Sequence, residues 1–416
     1  MMEAPETEEP SPARGPAGVR PPDRRRRSRG EVRWNLVDDA PGLEALLAEL
    51  SDVDAYAIDT EFHRERTYFP RLALVQIAWQ GGLSLVDPLA VDVAPLAELL
   101  GGDALAVLHA ADQDLEVLEL ACGAKPKAIF DTQVCAGFLG YASPSLASLI
   151  EHLIGLRLHK GDQLADWTQR PLSPNQQSYA AGDVAHLLEL RELETERLEV
   201  LGRFGWAEDE CRILLDKDRS VTVPEEAWWK LPHSRQLRGT ARATAQEVTA
   251  WRERRAMSLD VPVRFVLSDL AVMSIAQRSP ANREQLSRTR GIDGRHLGGG
   301  AAEELLAAIE RGRSLDGSQL RLPPRGAFER LNKPAVSLAS AFLGQRAGEL
   351  ELDPAVLATR ADVVAFFQDE PTGRLVSGWR YELVGAALER LRRGEAALAF
   401  DGLGSLVLEE RSHRAI

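Results

Sequence analysis

Five residues in this chain have the types and spacings from which chemistry could be built. The stretch Ala55-Tyr-Ala-Ile-Asp-Thr-Glu-Phe62 sets Asp59 and Glu61 two apart at the end of a short apolar run. Successive side chains of a strand point to opposite faces, so these two carboxylates share one face and Thr60 takes the other. Paired carboxylates repel unless a proton or a cation lies between them, and hard divalent ions take such oxygen ligands. In the second patch, Leu108-His-Ala-Ala-Asp-Gln-Asp-Leu115, an apolar strand ends at His109 and a helix begins. Asp112 is its expected N-cap, and Asp114 falls in the first turn, where the helix dipole favours a carboxylate. In the third, Ser178-Tyr-Ala-Ala-Gly-Asp183, Tyr179 and Asp183 are four apart and share one face of a helix. Each patch alone has an ordinary structural explanation. Together, four acids from a strand, a helix start and a late helix can converge on two cations about 4 Å apart, an arrangement that serves in-line phosphoryl displacement.

The elements that must bring these residues together are legible from hydrophobic period. Strands are expected at Tyr56–Asp59, Leu72–Trp79, Leu83–Val86 and Ala104–His109. Helices are expected at Ala40–Leu50, Leu96–Leu100, Asp112–Ala121, Thr132–Leu139, Ser145–Ile154 and, as one long helix, Pro174–Leu198. Short turns such as Gly81-Gly82 imply antiparallel neighbours early, and the later alternation with helices implies parallel additions. A mixed sheet of five to six strands flanked by helices follows. From Ala243 the period is helical to the end, in two stretches that read as a loose duplication.

At 416 residues, with 44% hydrophobic and 27% charged residues, the chain has room for two or three domains of ordinary soluble composition. No apolar run is long enough to span a bilayer, and the acidic, Pro-rich start does not read as a signal peptide. Cys122, Cys135 and Cys211 are odd in number and lack metal-ligand spacing, which implies reduced thiols and a cytoplasmic protein. A net charge of −13 argues against wholesale nucleic-acid binding by field alone, yet leaves room for an enzyme that holds one strand end. Arg24–Arg27, in the Pro- and Arg-rich tail, could touch RNA or stay solvated. Trp228 and Trp229 could stack on bases, but packing is the expected role. Arg252, Arg254 and Arg255 form a basic stripe after Trp251.

The three patches resemble the exonuclease motifs of the DEDDy 3′-to-5′ exonucleases, and their context resembles bacterial ribonuclease D. The resemblance includes Arg66-Thr-Tyr-Phe-Pro70, Leu74-Val-Gln-Ile-Ala78 and Asp166-Trp-Thr-Gln-Arg-Pro-Leu172, with Lys160-Gly-Asp-Gln163 a variation on the pattern. It covers nearly everything after the N-terminal tail. It implies an RNase H-like α/β exonuclease domain followed by two all-α HRDC-type domains. The expected boundaries are a disordered tail at 1–31, the exonuclease domain at 32–205, a connector at 206–240, HRDC at 241–318, a second HRDC-like domain at 325–402 and a tail at 403–416.

By the same resemblance, Asp59, Glu61, Asp114 and Asp183 would hold two divalent cations, Mg²⁺ or Mn²⁺, and Tyr179 would orient the attacking water. Substrate contacts are expected from Phe62, His63, Arg64, Arg66, Gln76, His109, Trp167 and Arg170. The expected partner is RNA with a free 3′ end, such as a tRNA precursor, met by a monomer with no stable protein partner and no membrane. The products would be nucleoside 5′-monophosphates. A DNA exonuclease on the same fold, and a non-catalytic RNA-binding protein, are the alternative readings.

Overall fold

The protein is described here from a computed structural model that covers residues 32–158, 165–322, 333–370 and 372–411. The Arg24–Arg27 run and Lys160–Gln163 lie outside the described residues. In chain order the first layer of elements is β1 Asn35–Val37, α1 Ala40–Leu50, β2 Ala55–His63, β3 Arg71–Trp79, β4 Gly82–Val86 and α2 Leu96–Leu100. There follow β5 Leu105–Leu108, α3 Asp112–Cys122, β6 Ile129–Asp131, α4 Thr132–Phe138 and α5 Leu146–Leu153. Three helices complete the unit: α6 Pro174–Val184, α7 Leu187–Val200 and α8 Phe204–Asp216.

The six strands form one mixed sheet in the order β1-β4-β3-β2-β5-β6. The β2–β3 and β3–β4 pairs are antiparallel, while β1, β5 and β6 join in parallel. The expected mixed sheet is therefore present, with two strands the sequence does not announce. β1 and β6 have three residues each, too few for an alternating period to register. The central strands are buried on both faces: Tyr56, Ala57, Leu74, Val75 and Ile77 are sealed from solvent. Each large apolar side chain so buried contributes about 2 kcal/mol.

Helix ends follow local chemistry. Asp39 caps α1 by accepting from Gly42 N at 2.8 Å, and Ser173 with Gln176 forms a capping box at the start of α6. Asp112 departs from expectation, because the N-cap of α3 is Ala111. Asp131 takes the capping work: its carboxylate accepts from Ala110 N and Ala111 N at 3.1 and 2.8 Å and also from the first amides of α4. The Asp112 carboxylate is spent on Lys217 and Arg219. The single helix expected over Pro174–Leu198 breaks at Ala185–His186 into α6 and α7.

The stretch read as a connector continues α8 and then passes through short 3-10 turns at Pro224–Lys230 and Ser234–Gln236. Trp228 is buried there, and the indole N–H groups of Trp228 and Trp229 both donate to the Arg321 carbonyl. Base stacking is excluded for Trp228. The next five helices are α9 Thr240–Leu259, α10 Val263–Val266, α11 Asp269–Arg278, α12 Arg283–Ser287 and α13 Ala301–Ser314. They close their own core around Val248, Leu267, Ile275 and Leu305. The arginine stripe is neutralised: Arg252 pairs with Asp269, Arg254 with Glu225 and Arg255 with Glu304.

A further helical group, opened by the helix Lys333–Glu349, shares the core of the six-stranded sheet instead of forming one of its own. The expectation of helix to the end is corrected, since β7 Ala396–Phe400 and β8 Leu406–Glu410 pair as an antiparallel hairpin. No helix among the described residues is long and apolar enough to cross a membrane.

Candidate active site

Asp59-Thr-Glu61 lies in the second half of β2, and its partner strand carries a bulge at this point. Glu61 pairs with Leu74 but Phe62 pairs with Leu72, so Ala73 is the extra residue. The Ala73 carbonyl, freed from the ladder, accepts from Arg170 Nη2 at 2.6 Å. The bulge beside Glu61 is thus held by a clamp. α6 packs across β2 and β3, with the small residues Ala180 and Ala181 buried against the sheet. This brings Asp183, near its C-terminal end, over the two acids of β2.

Asp59, Glu61 and Asp183 each offer a carboxylate oxygen, and these three atoms lie within 4.8 Å of one another. Burial raises the pKa of all three, and their mutual repulsion adds to it at Asp59 and Glu61. Asp59 is pushed well up by burial and by Asp114, Asp183 and Glu61. Glu61 rises to about 8 through burial, Asp183 and Asp114. Asp183 rises to about 7 through burial, opposed by the hydroxyl of Tyr179, which donates to it. Such a group holds protons in the absence of a cation, and the oxygen-only donor set fits a hard divalent ion.

Asp114 stands beside this trio and is not one of the three closely spaced oxygens. Its carboxylate accepts from the Thr60 hydroxyl at 2.5 Å, and burial raises its pKa to about 6. Thr60 points away from Asp59 and Glu61, as alternation requires, and reaches the acid on α3. Thr60 and Asp131 are contributors that sequence reasoning missed. Asp-Thr-Glu does place a hydroxyl on the opposite face, which was the available signal for Thr60.

The expected substrate contacts divide sharply. Gln76 is wholly buried, so it cannot touch RNA. Trp167 is buried and its ring lies 6.0 Å from that of Tyr179, which makes it packing behind the tyrosine. Arg170 gives its guanidinium to both oxygens of Asp87 and to the carbonyls of Ala73, Trp167 and Gln169. It organises the loop, and no donor edge remains for phosphate. His109 places Nδ1 2.8 Å from Thr132 Oγ1 and its Nε2 is enclosed, so it too is structural. Phe62 is half-buried on the core, with Arg64 5.7 Å above its ring, and Arg64 pairs with Glu116 at 2.5 Å. His63 lies close enough to Asp166 to lower its pKa, after the Thr168 and backbone hydrogen bonds. Arg66 is exposed.

Residues 35–198 match the 3′-5′ exonuclease family and residues 241–309 match the HRDC domain. A ribonuclease D of Acidiphilium cryptum is 36% identical over 377 residues, covering 88% of this chain and 95% of that protein. The ribonuclease D of Nitrobacter hamburgensis is 33% identical, over 91% of this chain and the full length of the relative. The chain belongs to the ribonuclease D family. The crystal structure of Escherichia coli RNase D matches with a TM-score of 0.79 at 30% identity, over 87% of this chain and 99% of that one. Members of this family are 3′-to-5′ exoribonucleases. An enzyme that degrades RNA from its 3′ end is the activity of this chain, and a purely non-catalytic scaffold is set aside.

Proposed function

We propose that this exoribonuclease hydrolyses the last phosphodiester of an RNA 3′ end with the support of two divalent cations, Mg²⁺ or Mn²⁺, releasing nucleoside 5′-monophosphates. The observation that carries this reading is the trio of carboxylate oxygens from Asp59, Glu61 and Asp183 within 4.8 Å of one another. Asp59, Glu61 and Asp183 would ligate directly, and Asp114, steadied by Thr60, would hold the second ion through water. When bound, such a pair of ions supplies a more acidic attacking water and stabilises the departing 3′ oxygen. Tyr179, whose hydroxyl already meets Asp183, orients that water for in-line attack on phosphorus. The bond from phosphorus to the 3′ oxygen of the penultimate nucleotide breaks, so the phosphate leaves with the terminal nucleoside.

Around this centre, His63 at the end of β2 and the exposed Arg66 just after it are suited to the phosphates nearest the 3′ end. The HRDC domain would add binding surface for the body of the RNA, and the helical group after Lys333 is read as a second HRDC-like domain. Structured RNA such as tRNA precursors is the proposed substrate, in line with the Escherichia coli protein's description as an exoribonuclease involved in structured RNA processing. The enzyme is read as a cytoplasmic monomer, which its free, buried cysteines support for the compartment.

The test is digestion of a 5′-labelled RNA by wild-type protein and by Asp59→Asn, with Mg²⁺, Mn²⁺ or chelator. Wild-type protein should give a ladder shortening from the 3′ end together with free nucleoside 5′-monophosphates, and none with chelator. Asp59→Asn should lose about a thousandfold in rate, equivalent to several kcal/mol of transition-state stabilisation. Digestion by Asp59→Asn at the wild-type rate would sink the site. A deoxy oligonucleotide of the same sequence reports whether the 2′-hydroxyl is required.

A further inference from the structure

Gln76 sits in the apolar run Leu72–Trp79 of β3, and it is entirely buried. Among the described residues, neither its Nε2 nor its Oε1 has a hydrogen-bond partner. An unpaired buried amide destabilises the fold relative to an apolar side chain of the same shape, so folding gives no reason for a glutamine here. The register gives another. Gln76 is directly opposite Asp59 in the antiparallel β2–β3 pair. Directly opposed residues project to the same face with Cβ atoms about 5 Å apart. That is well within reach of a glutamine amide to an aspartate carboxylate. The shared face is the one α6 covers, because Asp183 on α6 meets Asp59 there. Sealed under that helix, Gln76 is shielded from RNA and from bulk water.

We propose that Gln76 is a positioning residue of the metal site: its Nε2 donates to the Asp59 carboxylate in the metal-loaded enzyme and fixes which oxygen faces the cations. This rests on the reading of Asp59 as a metal ligand. Ligating carboxylates are themselves held by hydrogen bonds, and loss of such a partner commonly costs ten- to a hundredfold in metal affinity or activity. A donor directly opposite the ligand accounts for a polar residue in an apolar strand that finds no other partner among the described residues.

The experiment uses full-length Gln76→Met, which keeps side-chain volume and removes the amide, with Gln76→Leu as a second variant. Three quantities are measured: the Tm without metal, the Mn²⁺ and Mg²⁺ midpoints of the metal-induced rise in Tm, and KM for RNA at saturating metal. The expected result is a metal-free Tm equal to or above wild type, a metal midpoint raised about tenfold, and KM for RNA unchanged. A metal midpoint equal to that of wild type in a folded variant overturns the proposal. So does a marked loss of metal-free Tm in both variants, since the amide would then be a packing element. Asp59→Asn is carried alongside. If it abolishes the metal-induced rise in Tm and Gln76→Met leaves it intact, only the role of Gln76 falls. If Asp59→Asn responds to metal like wild type, the reading of the whole site falls with it.

Discussion

Acidic groups crowded at the end of β2 set the pH behaviour of the free enzyme. Folded, Glu61 titrates at about 8, Asp183 at about 7 and Asp114 at about 6, whereas unfolded they titrate near 4. Between those limits the folded chain holds protons the unfolded chain has released. The stabilising contribution is therefore full below about pH 4 and is lost as pH rises through the folded values. The metal-free protein should lose Tm from pH 5 to pH 8. A divalent cation must displace those protons, so the rise in Tm on adding Mg²⁺ should be larger at pH 8 than at pH 6. Thermal melts across that range, with Mg²⁺ or chelator, check both slopes. A metal-induced rise independent of pH would mean that the carboxyl groups are not raised.

Elements matter through what they hold still, and the clearest case is the bulge in β3. Two arginines that look alike in the sequence, Arg66 and Arg170, do different work. Arg170 is half-buried, its guanidinium set on the buried Asp87 and on the extra carbonyl of Ala73. Replacing it by Met leaves Asp87 uncompensated and should cost about 3 kcal/mol by urea melts. It should lower kcat more than it raises KM, since Glu61 is beside the bulge. Arg66→Ala should leave stability unchanged and raise KM for RNA, because it removes an exposed cation. A kcat effect in Arg66→Ala with unchanged KM would reverse these assignments.

How much of this the sequence disclosed depends on how local the cause was. That Asp59 and Glu61 share one strand face, and Tyr179 and Asp183 one helix face, was legible because strand alternation and the four-residue helical repeat fix which side chains lie together. The partners of Arg170 and the double cap by Asp131 were hidden, since they join residues far apart in sequence. The break between α6 and α7 was hidden too, because Val184-Ala-His-Leu187 contains no helix breaker. The hairpin at Ala396–Phe400 is composed largely of helix formers, and only pairing with Leu406–Glu410 makes it a strand. Gln76, His109, Trp167 and Arg170 were expected to touch substrate; the burial of Gln76 and Trp167 and the internal hydrogen bonds of His109 and Arg170, which sequence does not report, make them supports instead.

At the scale of the whole molecule, the helical parts are attached to the exonuclease domain in two unlike ways. The HRDC region has its own core and meets the segment after β2 through the packed ring of Tyr68 and a set of polar contacts. Tyr68 donates to Glu253 at 3.0 Å, and the backbone amides of Tyr68 and Phe69 donate to Asp260 at 3.0 and 3.1 Å. Asp260 has a φ of 46°, a conformation glycine tolerates best. Asp260→Gly therefore removes the acceptor without strain at that position. Amide exchange at Tyr68 and Phe69 should quicken, and digestion of a structured RNA should suffer more than that of a short single strand. Equal effects on both RNAs would mean that docking serves the catalytic centre alone.

The helical group after Lys333 is fused instead of docked. Trp379 stacks on Trp206 of α8 at 5.1 Å and meets Phe138 of α4 edge-on at 5.3 Å. Beneath them, Glu210 of α8 pairs with both Arg374 and Arg380, and Arg380 is buried. One continuous core implies one cooperative unit, whereas the separate HRDC core can open on its own. Calorimetry should resolve two transitions, the smaller belonging to the HRDC region. Glu210→Ala leaves a buried guanidinium without its counter-charge, which costs about 3–5 kcal/mol, so it should lower the larger transition and leave the smaller where it was. If both transitions moved together, the HRDC core would be part of the same cooperative unit, and polar docking would be too weak a description of how it is held.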